Sequence, residues 1–172
     1  MSKFVMAFVA CIVLIAASAP AQQKHSPVVT WKMDIAKSDF GSDPKPKSVT
    51  ITVFNDSPQL LSWRVRVVDD KSKSSSFSWK GPEDGSMHPV MQNGKEVEKQ
   101  SAKRDDQGAL LRHGEDPDGT SFDARSMISP DDPNTMTEQI TLKSKDGTES
   151  KQNGVYHRVS NATKAAEKKP ST

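Results

Sequence analysis

Cysteine is almost absent from this chain: the single one, Cys11, lies in an apolar run close to the N-terminus. With that segment set aside there is no thiolate nucleophile, no disulfide and no cysteine metal ligand. Histidine is scarce as well. His25, His88, His113 and His157 stand far apart, none has another histidine or a cysteine at metal-ligand spacing, and the His-Glu-x-x-His pattern is missing. The nine glycines fall singly in turn-like sequence, so no glycine-rich phosphate loop is present, and no Gly-x-Ser-x-Gly elbow offers a serine nucleophile. Charge of one sign is missing too. A formal net charge of +2 gives no electrostatic footprint for nucleic acid or for an anionic membrane.

The one long hydrophobic run is N-terminal. After Met1-Ser2-Lys3 the chain is nearly unbroken apolar sequence from Phe4 to Ala17, and Ser18-Ala19-Pro20-Ala21 then supplies small residues. A positive start, a short apolar stretch and an Ala-x-Ala-like end is the layout of a secretory signal, with cleavage expected after Ala21. The run falls short of the roughly 20 residues of a spanning helix. A leader is expected over 22–27, one domain over 28–160 and a disordered polar tail over 161–172. Without the signal only about 26% of the residues are hydrophobic, far below the roughly 45–50% of ordinary globular domains, so a single modest core is all the chain can build.

What the chain does have is alternation. Short β-prone runs are expected at 28–33, 48–54, 60–69, 75–80, 87–91, 97–104, 109–112, 121–128, 135–143 and 154–160. Turn formers such as Asp84-Gly85, Asn93-Gly94, Asp118-Gly119 and Asp146-Gly147 separate them. Val49, Ile51 and Val53 share one face; so do Leu61, Trp63, Val65 and Val67, and so do Phe77 and Trp79. This spacing with no helical period predicts an all-β antiparallel meander of about 8–10 strands, an up-and-down barrel or else a sandwich.

Two polar side chains fall on apolar faces. Glu138 shares parity with Met136, Ile140 and Leu142, and His157 shares parity with Val155 and Val159. Either they reach water at strand ends, or they project inward and pair or meet a ligand. The acidic stretches 115–119 and 131–133 lack the EF-hand pattern and read as turns. The tryptophans Trp31, Trp63 and Trp79 read as core anchors.

Taken together, several short motifs carry a likeness. Trp31-Lys32-Met33-Asp34, Lys37-Ser38-Asp39-Phe40 and Pro46-Lys47-Ser48-Val49-Thr50 open the domain, and Met87-His88-Pro89-Val90 follows a glycine turn. Ser129-Pro130-Asp131 with Thr135-Met136-Thr137, and Val155-Tyr156-His157-Arg158-Val159, close it. The set resembles small secreted bacterial lipocalin-like proteins. The likeness is concentrated at the two ends, and the stretch from about 95 to 125 matches poorly. It implies a barrel closed by its first and last strands, holding one small ligand. Where lipocalins have Gly-x-Trp this chain has Val29-Thr30-Trp31, and the resemblance places Arg158 against Trp31 at the barrel's closure.

The expectation is therefore an exported barrel, periplasmic or extracellular, monomeric or weakly dimeric, and not an enzyme. It would bind a small apolar or amphipathic molecule against Trp63, Phe77, Trp79, Leu111 and Phe122, with Glu138 or His157 fixing a polar end. No cofactor, metal or nucleic acid is expected, nor stable membrane insertion once the signal is removed. The rival is an envelope or surface protein with a solid β-core, working through exposed Arg64, Arg66, Arg112 and Arg125.

Overall fold

The computed structural model of the protein describes residues 28–159. The expected signal, leader and tail lie outside them. The described chain forms ten strands and no helix: β1 Val29–Met33, β2 Ser48–Ser57, β3 Leu60–Val68, β4 Ser74–Gly81, β5 His88–Gln92, β6 Lys95–Arg104, β7 Leu110–Glu115, β8 Ser121–Ile128, β9 Thr135–Lys143 and β10 Glu149–Arg158. Each pairs antiparallel with its neighbour in sequence, and β10 returns to β1 to close the barrel. Of barrel and sandwich, the barrel is what forms. All ten expected strands are present. Several are longer than their apolar pattern; in particular, β2 continues to Ser57, β7 continues to Glu115 and β10 begins at Glu149. In β7 and β10 the ladders to β6, β8 and β9 extend strands through sequence with no alternation of its own.

Turn chemistry sets the hairpins. Asn93 and Gly94 both take positive φ (52° and 77°), the paired left-handed conformation that a two-residue hairpin between β5 and β6 needs. The alternation then does as expected in β2, β3, β4 and β9, turning Val49, Ile51, Trp63, Val65, Trp79 and Met136 inward. Trp63 and Trp79 are register partners and stack with centroids 6.2 Å apart. The Trp79 indole N–H donates to the Gln100 carbonyl at 2.9 Å. Trp31, Val49, Met136 and Tyr156 form a second buried cluster. All three tryptophans are buried as core anchors.

The β1–β2 connection crosses one end of the barrel, and local bonds fix its path. The Asp34 carboxylate accepts from the backbone of Ala36 and Lys37. The Ser38 hydroxyl donates to the Asp34 carbonyl and accepts from the Val155 amide. Asp39 bridges to Asn153 on β10, which buries Phe40 over the barrel's mouth.

Candidate functional site

Inside that end lies a hollow of about 440 Å³. Its wall is the inward face of β1, β2, β3 and β9: Met33, Val49, Ile51, Val65, Val67, Ile140 and Leu142. Phe40, Pro44 and Pro46 of the β1–β2 connection border its mouth, beside Asp43, Asp69 and Asp70. Ten strands enclose more room than the roughly eight whose interior side chains can just fill.

The floor is polar. Glu138 sits two inward positions below Leu142 on β9 and is 4% exposed as a residue. One of its oxygens accepts from the Arg112 guanidinium and, at 2.9 Å, from the Ser126 hydroxyl; the other accepts from the Tyr156 hydroxyl at 2.8 Å. Arg112 reaches in from β7 with its guanidinium carbon 6.0 Å from the ring centroids of both Trp63 and Phe122. Its Nη2 is engaged with Glu138, whereas its Nε is buried with no hydrogen-bond partner among the described residues. Burial, reinforced by the Glu138 charge, pushes the Tyr156 phenol far above its ordinary value and keeps it a donor.

A second carboxyl shares the interior. Glu98 pairs with inward-facing Val90 in the β5–β6 ladder, and its Oε1 is buried and unpartnered. Burial, with the Asp116 charge, raises it to about 7, against the lowering effect of Arg112. Gly114 makes room for it: a Cβ there would stand 2.5 Å from Glu98 Oε1.

Of the residues expected to form the site, the hollow brings together Phe122 and Glu138. Trp63 and Trp79 lie in the adjoining core, with Phe77 half-buried against it. Two placements correct the expectation. Leu111 faces outward, lining a polar surface groove with His113, Asp123 and Arg125. His157 is also outward and exposed, 3.4 Å from Asp34 and 3.2 Å from the Thr135 hydroxyl. In β10 the inward face is that of Gly154 and Tyr156, not of Val155 and Val159, because Gly154 leaves the space that the Tyr156 ring fills. Arg112, expected outside with Arg64, Arg66 and Arg125, is instead the inward cation. Adjacent Leu110 and Leu111 give no phase to a short strand, and it is Leu110, not the expected Leu111, that packs against the core. Trp31 and Arg158 are register partners across β1 and β10, but Arg158 is exposed, and the cation set over a tryptophan ring is Arg112.

On the outer face, His113 sits between Asp123, 2.9 Å from Nδ1, and Glu115, 3.2 Å from Nε2. Its hydrogen bond to Asp123 leads the effects that raise its pKa. The two carboxylates take opposite ring nitrogens and do not converge, and no cluster able to hold a metal occurs among the described residues. A further hollow of about 360 Å³ opens at the other end of the barrel, lined by Trp31, Leu61, Ile128 and Met136. The Glu138 layer lies between the two. No protein-family model, curated protein or solved structure matches the chain.

Proposed function

We propose that this protein is an exported, lipocalin-like carrier that binds one small amphipathic molecule inside its barrel, as a monomer or weak dimer. The observation that supports the reading is the hollow of about 440 Å³ with an apolar wall and one cluster of polar groups at its floor. Its volume falls within the roughly 300–1,000 Å³ of small-molecule sites, and an apolar lining with a few fixed polar groups is their common composition. A solid-core surface protein gives no reason for such a space. Export rests on the signal-like N-terminal segment, and kinship with lipocalins on the motif set together with a ten-stranded closed barrel.

The test is a titration of the chain starting at Gln22 with Nile red, an uncharged apolar dye. The expected result is saturable, one-to-one, blue-shifted emission that Ile51→Trp abolishes by filling the hollow while leaving the barrel folded. Dye binding that never saturates, or that Ile51→Trp leaves unchanged, contradicts the reading.

A further inference from the structure

The lining of the hollow is electrically lopsided. One cation, Arg112, faces four carboxylates: Glu138 at the floor and Asp43, Asp69 and Asp70 at the mouth. Arg112 is already neutralised, since Glu138 is its ion-pair partner and is itself held by Ser126 and Tyr156. The cation nevertheless keeps hydrogen-bonding capacity, because its one hydrogen bond among the described residues is made by Nη2 and the side chain itself lines the hollow. The floor therefore has donors to offer and no positive charge to spare. A guanidinium locked to one carboxylate still donates N–H bonds to a neutral oxygen, whereas a second carboxylate there is desolvated without a counter-charge of its own.

We propose that the cavity takes an uncharged amphiphile, an ester, amide or ketone of a hydrocarbon chain, whose oxygen accepts from Arg112 at the floor. The carboxylate of the same chain is discriminated against. The inference rests on the carrier reading and adds to it the class of ligand. Glu98 strengthens the bias, because its carboxyl on the neighbouring strand adds negative charge beside Arg112 whenever it ionises. The acids at the mouth act in the same direction, since an anion must pass Asp43 and Asp70, both exposed at the rim.

The experiment compares methyl laurate, laurate and laurylamine as displacers of Nile red from the chain starting at Gln22. An infrared spectrum of bound methyl laurate with an isotope-labelled carbonyl accompanies the comparison. Methyl laurate is expected to displace the dye at least about ten-fold more tightly than laurate, with laurylamine, whose charge the acidic mouth does not oppose, also tighter than laurate. Its carbonyl stretch should move to lower frequency on binding, as for a carbonyl that accepts a strong hydrogen bond. The double variant Asp43→Asn with Asp70→Asn, both at exposed positions, is expected to narrow the preference for methyl laurate over laurate about three-fold. Laurate binding as tightly as the ester or the amine, or an unshifted carbonyl, overturns the inference and leaves the carrier reading standing. Absence of saturable binding by Nile red and by all three probes overturns both.

Discussion

Glu138 accepts three hydrogen bonds inside the barrel, and removing each partner has a different expected cost. Glu138→Ala leaves the Arg112 guanidinium buried without its counter-ion and is expected to destabilise the fold by about 3–5 kcal/mol. Tyr156→Phe removes one hydrogen bond to a charged group, a loss of about 1.5–3 kcal/mol. Replacing both charges, Arg112→Met with Glu138→Leu, is expected to cost less than Glu138→Ala alone, because no orphaned charge remains. Urea unfolding midpoints of the four proteins check the order. Glu98 carries a separate signature. Its folded value is raised to about 7 from an ordinary 4.5, so between those pH values the folded state holds a proton that the unfolded state has released. Its contribution to stability is thus fully present below about 4.5 and is lost as pH rises through about 7. Glu98→Gln is expected to flatten the fall in urea midpoint across that window. An unchanged slope assigns the fall to other groups. Of these residues only Glu138 was marked in the sequence as a candidate inward charge, because it shares parity with Met136, Ile140 and Leu142, and water at a strand end was its alternative. Arg112 and Glu98 were not, since their strands hold too few apolar residues to fix which face is inner.

At the scale of the element, existence was easy to read and phase was not. All ten strands follow from short β-prone runs divided by turn formers, Asn-Gly and Asp-Gly pairs among them. β2, β3 and β9 also show their inner face, because one parity is apolar and the other Thr, Ser or Arg. β7 and β10 mislead. Leu111 and Val155 show that an outer barrel face accepts β-prone apolar residues, while the inner positions Gly114 and Gly154 look like turns. Both glycines are spacers for a large neighbour: Phe122 and Glu98 crowd Gly114, and Tyr156 crowds Gly154. Gly114→Ala is accordingly expected to destabilise by about 1–3 kcal/mol through overpacking, although alanine suits a strand backbone no worse than glycine. Thermal unfolding measures it. A variant as stable as the parent shows that Phe122 and Glu98 move aside without cost.

For the whole molecule, closure by β1 and β10 leaves no unpaired sheet edge and fixes which side chains meet across the interior. The hollow is a property of that ring. Its wall and floor together draw on β1, β2, β3, β7, β8, β9 and β10, and its roof on the β1–β2 connection. No local pattern in the sequence encodes how much space ten strands enclose, so the site emerges only once the register is known. Phe122 and Glu138 were found from parity; Arg112, Tyr156, Ile51 and Val65 join them through pairing between strands distant in sequence. The central claim is that a ligand enters this space and no other. Methyl carbon–proton correlation spectra, recorded as methyl laurate is added, read that location directly. The account predicts saturable shifts at Ile51, Val65, Ile140 and Leu142, with Leu111 on the outer face and Ile128 at the opposite end unmoved. Shifts confined to Leu111 or Ile128, or none at all at saturating ligand, contradict it.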